Sequence, residues 1–481
     1  MTLYLDVAAM RIQTWLGRSA TLRGRRGASR MLADRTRQDA IKKWLASRPD
    51  LDGVVWNDEG GDVDGVVTLR VADTLERRVP EIARAVLEHL RLGLPRVELN
   101  GVWAHGPSYV DAYQAMDGII EAGEELLVDL APSRGVPLAR VCGDCGLDGV
   151  VREDYPIAGD DKTDVCADCE ARYEGAGRTT GTRIEVIPGP EKDLAEWLEP
   201  EFRATGQTVE TIFTSFPDKF DELAARATGT DGRKGTHTAL VYADGNQIGA
   251  FIKDATAAGA IKETLAREIT EANRKAVVAA VLGVLDGAPT THGVPVAPHL
   301  IAGDDLLVSL PATLVWPFLR SYLPEFERAM SEVGTGKVQP SPTASAGVVI
   351  AHYTYPFTDV MALAGTALKK AKREVRGARS SVCWLDVTAD GPTVERSRPV
   401  LATDVILAHK TELHALAGTT SAGVRYTLRT ALRDAQQRCG AEPRVQPDEL
   451  VRRLDADAVR PFLDNDELPL PVALDLIRWW R

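Results

Sequence analysis

No stretch of this 481-residue chain approaches the eighteen or so consecutive apolar residues that a membrane-spanning helix needs, so no membrane partner is expected. A leader signature is missing as well. Met1 to Met10 is apolar, but no basic start precedes it and arginines follow, so it reads as a buried strand and the expected location is the cytoplasm. The chain has no surplus of positive charge. Its net charge of −12 argues against broad, charge-driven binding to nucleic acid. Cysteine is scarce: there are six, of which Cys383 and Cys439 stand alone and read as small core residues or inert thiols.

What is present is a globular composition, 44% hydrophobic and 26% charged, and a length that implies three or four domains. Charge is unevenly spread. Arg11 to Arg48 holds eleven Lys or Arg against Asp34 and Asp39 alone, which reads either as a solvated helix face or as a phosphate or RNA contact. Leu3–Ala9 is a strand candidate. Gly53–Asn57 and Gly65–Val71 form a candidate hairpin across the acidic turn Asp58–Gly61, and Thr74–Leu92 has helical spacing. The order strand, helix, hairpin, helix opens a ferredoxin-like unit. The same order returns later: strand Thr238–Tyr242, helix Ala260–Leu285, hairpin Val296–Leu310, helix Leu314–Val333, strand Ala344–Ala351, helix Thr358–Arg376, strand Val382–Val387.

Two acidic segments stand out in this second half. In Leu240–Gly249 an apolar strand delivers Asp244 to its end. Gly245 leaves room beside the backbone for a phosphate or metal, and Asn246 and Gly249 keep the next turn open; the plain alternative is an Asp-Gly turn. In Leu300–Ser309 the adjacent acids Asp304 and Asp305 follow Gly303 between two apolar strand halves, again either a metal-holding pair or a solvated turn. If the two strands are neighbours, three carboxylates meet and suit two Mg²⁺ ions. On the later helix, Lys369, Lys372, Arg373 and Arg376 lie off the apolar face. Lys372 is a candidate to reach a triphosphate, unless these residues are simply a basic helix end.

Cys142-Gly-Asp-Cys145 and Cys166-Ala-Asp-Cys169 are separated by twenty residues, the pattern of a closed four-thiolate Zn²⁺ site; disulfides and a redox pair are the alternatives. Four protein ligands leave no open position, so the zinc is expected to be structural.

Tyr242 to Gly249, Ala302-Gly-Asp-Asp305, and Ser345-Ala-Gly347 followed by His352 to Lys372 together resemble the large palm-polymerase subunit of type III CRISPR effector complexes, which makes cyclic oligoadenylates. Asp6, Ile12-Gln13 and Arg26-Gly-Ala-Ser29 resemble that family's first palm. The resemblance implies an α+β fold with two ferredoxin-like palm domains, a zinc finger insert and a C-terminal helical bundle. The expected division is a non-catalytic first palm at 1–135, a finger at 136–175, a helical connector at 176–235, a catalytic palm at 236–400 and a helical domain at 401–481. It further implies a nucleotidyltransferase with Asp244, Asp304 and Asp305 as catalytic Mg²⁺ (or Mn²⁺) ligands and Gly245, Asn246, Gly249, Gly303 and Lys372 around the nucleotide. ATP, guide RNA, target RNA and other effector subunits are the implied partners. A catalytically weak scaffold subunit and a standalone nucleotide cyclase are the alternatives. Three departures are visible. Ala302 stands where the family usually has glycine, no His-Asp dipeptide marks a nuclease domain, and the chain is short for the family. Asp62 and Asp64 of the first unit flank a different turn.

Overall fold

The computed structural model describes residues 1–61, 65–123, 126–130, 140–158, 161–176, 189–227, 235–285, 293–336, 340–395, 398–437, 456–463 and 465–480. Asp62, Asp64 and Cys439 therefore lie outside the described residues.

The first unit runs β1 (Thr2–Met10), α1 (Ile12–Leu16), α2 (Leu22–Thr36), α3 (Gln38–Ala46), β2 (Val54–Trp56), β3 (Val66–Val71), α4 (Val79–Gly93), β4 (Glu98–Gly106), α5 (Tyr109–Ala122) and β5 (Leu127–Asp129). The hairpin and β1 form where apolar spacing placed them. The helix expected from Thr74 starts later, at Val79 with Pro80 in its first turn, because Asp73–Arg78 winds as 3₁₀ helix. The sheet order is β2-β3-β1-β4-β5, and every neighbouring pair is antiparallel.

A small hairpin, β6 (Arg152–Ala158) and β7 (Asp161–Val165), and α6 (Ala167–Gly175) follow. Next come α7 (Pro190–Phe202), α8 (Val209–Thr214) and α9 (Phe220–Ala225), three helices within the stretch expected to be a helical connector.

The second unit has β8 (His237–Gly245), α10 (Ile248–Ala257), α11 (Lys262–Leu285), β9 (Ala297–Ala302), β10 (Asp305–Pro311), α12 (Val315–Met330), β11 (Ala344–His352), α13 (Phe357–Val375), β12 (Ser381–Asp386), α14 (Val387–Asp390) and β13 (Val400–Ala402). Its order is β13-β12-β11-β8-β10-β9. The central run β11-β8-β10-β9 repeats β4-β1-β3-β2 of the first sheet, strand for strand, as two ferredoxin-like units. The tail is helical: α15 (Thr403–Ala408), α16 (Lys410–Thr419), α17 (Ala422–Gln437) and the short helices Ala456–Val459 and Leu470–Leu476. Among the described residues no helix is long and apolar enough to cross a membrane.

Strand alternation assigns the second sheet's two faces. Ala239, Val241 and Ala243 of β8 and Leu306 and Val308 of β10 join the core under α11 and α12. Leu240, Leu307 and Val349 face α13 with Phe357, Val360 and Ala364. The approach of α13 to β11 depends on Gly347, where a Cβ would overlap the Ala364 carbonyl and the Leu368 amide. Gly347→Val is expected to destabilise the protein by about 1–3 kcal/mol through overpacking. Denaturant unfolding checks this, and an unchanged midpoint would refute the close-packing argument.

Candidate active site and metal centre

Asp244 is the penultimate residue of β8, and it shares the α13 face with Leu240. The β8–β10 register pairs Ala243 with Leu306, which brings Asp305 alongside Asp244. Asp304 occupies the two-residue turn between β9 and β10, closed by the Ala302–Asp305 pair. Gly303 has φ +57°, while neither Ala302 nor Asp304 has positive φ. Positive φ at the first central position alone is the signature of a type II′ turn, and Gly303 supplies it. The turn therefore demands glycine at 303 but not at 302, where β9 pairs normally and a methyl costs no backbone strain.

One Asp304 carboxylate oxygen accepts the Gly245 amide N–H at 3.2 Å. A Cβ at Gly245 would press on that oxygen and on Ile248, so the approach of Asp304 to β8 requires glycine there. Burial and then the nearby Asp244 push the Asp304 carboxyl up to about 7, and the same two causes push Asp305 up to about 6, against the opposing pull of Lys372. The Lys372 ammonium, projecting from α13, donates to Asp244 Oδ2 at 2.5 Å and to the Gly245 carbonyl at 2.8 Å. It thus acts as a tethered cation on one member of the acidic group.

The other residues singled out in the sequence are placed differently. Asn246 is buried and turned inward: Nδ2 donates to Thr343 Oγ1 at 2.8 Å, and Oδ1 accepts from Ser345 at 3.0 Å. It ties the end of β8 to the start of β11. Gly249 lies exposed in the first turn of α10, with open space where a side chain would be. Gln247 holds φ +57° and donates to the Arg376 carbonyl at 2.7 Å.

Sequence reading missed the brace on the other face. Asn273 of α11 is buried, and its Nδ2 donates to the Gly303 carbonyl at 2.9 Å and the Asp305 carbonyl at 3.1 Å. Its Oδ1 accepts from the Tyr322 hydroxyl of α12 at 2.9 Å, which fixes the amide orientation. Burial and the nearby acids raise the Tyr322 phenol well above its ordinary range, so it stays a donor. An Asn in the middle of an amphipathic helix carries no local signal of such a role. Asn273→Ala is expected to cost about 1–3 kcal/mol by leaving buried carbonyls and a hydroxyl unpaired. A loss under about 0.5 kcal/mol in chemical denaturation, the range of an indifferent substitution, would count against the brace.

In the first sheet the same register puts Ala9 where the second has Asp244 and Gly65 where it has Asp305. No carboxylate occupies either position.

The four cysteines converge. Their sulfurs lie within 4.8 Å of one another, and Cys145 Sγ is 3.8 Å from Cys166 Sγ. A tetrahedron with metal–sulfur bonds of about 2.3 Å has sulfur–sulfur edges of about 3.8 Å, so the group suits zinc. Neighbouring thiols push Cys142 far down and Cys166 and Cys169 far up, the conflict that a divalent cation removes. Gly146, at φ +65°, makes the first knuckle turn, and Cys166 caps α6. Among the described residues no disulfide forms, and burial pushes the lone Cys383 thiol up to about 11.

Each cysteine pair encloses an acid that docks the finger. Asp144 accepts from Ser19 Oγ at 2.9 Å and from the Ala20 amide at 3.1 Å. Asp168, fully buried, pairs with Arg172 at 2.9 Å and accepts the Trp15 indole at 3.3 Å. Arg18 pairs with Asp148, and Arg26 with Glu191 and Asp218. Buried Arg25 donates to the Ser19 carbonyl and stacks on Phe357. Several arginines of the basic run thus point inward as docking groups, an outcome that neither the solvated-face nor the phosphate-contact reading anticipated.

Residues 237–383 match the family model of the Cas10/Cmr2 second palm domain. Across 99% of its length the chain is similar in fold to the Csm1–Csm4 cassette in complex with cA4, with TM-score 0.54, 14% identity and 69% of that chain covered. The cassette in complex with pppApA gives TM-score 0.52 and 16% identity, also over 99% of this chain and 69% of that one. No curated protein sequence matches the chain. A mixed α/β protein that carries a Cas10/Cmr2-type second palm domain is thereby defined.

Metal analysis of protein purified without added metal is expected to give one zinc per chain, lost in Cys145→Ser plus Cys166→Ser with a lower melting temperature. A zinc-free, equally stable protein would exclude the structural metal.

Proposed function

We propose that the chain is the large palm subunit of a type III CRISPR effector complex and joins ATP into cyclic oligoadenylate. The observation that carries this reading is the meeting of Asp244 with the Gly303-Asp304-Asp305 turn at neighbouring strand ends, inside the segment matched by the Cas10/Cmr2 second palm model. The relatives in complex with cA4 and pppApA support it as fold neighbours.

Asp244, Asp304 and Asp305 suit divalent cations because burial and mutual repulsion leave Asp304 and Asp305 reluctant to ionise without one. Bound Mg²⁺ or Mn²⁺ would supply charge neutralisation for the triphosphate and acidify the attacking hydroxyl. In the transfer, a 3′-oxygen forms a bond to the α-phosphorus, the α–β bridging bond breaks, and pyrophosphate leaves with the electron pair. Asp244, once its charge is shared with a metal, needs Lys372 less, and the ammonium is then near enough to meet a phosphate. Gly245 and Gly303 keep the approach to the acids free of side chains. The first palm, with Ala9 and Gly65 at the matching positions, serves as support. Guide RNA, target RNA and the remaining subunits would place the chain in its complex, and zinc would hold the finger against α1 and α2.

The test uses α-labelled ATP with Mg²⁺ or Mn²⁺, with the chain alone and with the chain assembled with partner subunits and guide and target RNA. Pyrophosphate release is expected, falling by at least about 10²-fold in Asp304→Ala plus Asp305→Ala, the scale of losing transition-state charge stabilisation. Assembly with RNA but without pyrophosphate release would establish the scaffold role instead. Release untouched by the double substitution would overturn the assignment of the acids. RNA-independent release by a chain that carries no guide would favour a standalone cyclase.

A further inference from the structure

A cavity of about 510 Å³ opens between the tail helices and the far edge of the second sheet, bordered by α14, α17 and the segment after Leu470. It is remote from the acids. Asp386 pairs with Ile350 near the end of β11, whereas Asp244 pairs with Ser345 near its start, a separation of roughly 17 Å at about 3.3 Å per residue.

Among the described residues the charges in this cavity do not balance. Asp390 and Asp475 are both paired with Arg398 and Arg429, and Asp386 is paired with Arg478 while accepting the Trp479 indole N–H at 2.7 Å. Three arginines thus answer three aspartates. Arg425 is the fourth arginine, half-buried in the same wall, and among the described residues no carboxylate forms an ion pair with it. Burial first, then the neighbouring Arg478 and Arg429, lower its pKa against the weaker opposing pull of Asp386. Beside it on α17 is Tyr426, 73% exposed, and the partly open Trp479 ring lines the same space. An ion-pair network that only fastened the tail to the sheet would have no use for a surplus guanidinium facing a cavity, or for an aromatic ring left in solvent.

We propose that this cavity is a second nucleotide site, in which Arg425 takes a phosphate and Tyr426 offers its exposed face to the base. Its volume falls within the range of small-ligand pockets. A guanidinium paired with phosphate and an aromatic face stacked on a base are the two contacts by which proteins hold nucleotides without reading sequence. The ligand is either a free nucleotide or one nucleotide unit of a single-stranded RNA, which present the same chemistry. The proposal stands apart from the acidic centre and from its activity.

The experiment measures binding by calorimetry and tryptophan fluorescence to the full chain carrying Asp304→Ala plus Asp305→Ala, which weakens the palm centre. The probes are ATP, a six-residue single-stranded oligoadenylate and inorganic phosphate. ATP or the oligonucleotide is expected to bind, and Arg425→Ala should weaken it by about tenfold or more, as loss of a charge-assisted contact does. Arg425→Lys should retain part of the affinity. Tyr426→Ala, an exposed position that leaves the fold intact, should weaken both nucleotide probes but not phosphate, and keeps the test decisive if Arg425→Ala fails to fold. Tighter oligonucleotide than ATP binding identifies an RNA strand as the source, and equal binding identifies a free nucleotide. Absence of binding by both nucleotide probes, or affinities unmoved by Arg425→Ala and Tyr426→Ala, would overturn the proposal.

Discussion

Carboxylates at neighbouring strand ends repel one another, and a fold that brings Asp244, Asp304 and Asp305 together must hold them against that repulsion. Three independent devices do so. The Gly245 amide donates to Asp304, Asn273 grips the carbonyls on either side of Asp304, and Lys372 places a cation on Asp244. They come from three directions: from β8 itself, from α11 with α12 on one face, and from α13 on the other. What Lys372 does not compensate is stored as raised carboxyl pKa values, and a cation would release it.

The first unit and the finger are linked to this centre through α2. Burying arginines is costly unless each finds a partner, and here they do. Arg18 meets Asp148 beside the cysteine cluster, Arg26 meets Glu191 and Asp218, and Arg25 lies over Phe357 at the start of the helix that carries Lys372. The acids inside the two cysteine pairs, Asp144 and Asp168, hold the loop before α2 and the indole of α1. The finger is thereby part of the scaffold that positions α2.

Two sheets with one central strand order differ at the strand ends where the second gathers its acids. Ala9 and Gly65 are neutral and small at the positions of Asp244 and Asp305. Removing the acids removes the repulsion, and the first sheet needs none of the three devices at that end.

Much of this was legible from the chain alone, because it depends on near neighbours. Alternation revealed β1, β8 and the β9–β10 hairpin, and Cys-x-x-Cys spacing revealed the thiolate cluster. Gly303 before two acids encoded a turn that needs positive φ only there, and Ala302 sits in ordinary strand backbone. The remainder joins residues far apart in the chain. Lys372 on Asp244 spans 128 positions, Tyr322 on Asn273 spans 49, and Asn246 turned inward to Thr343 because β11 pairs beside it. The inward arginines of α2 and the uncompensated Arg425 belong to the same class. Spacing along a chain records which side chains share a face. Which faces then meet, and which charges remain without a partner, is decided only when distant elements pack.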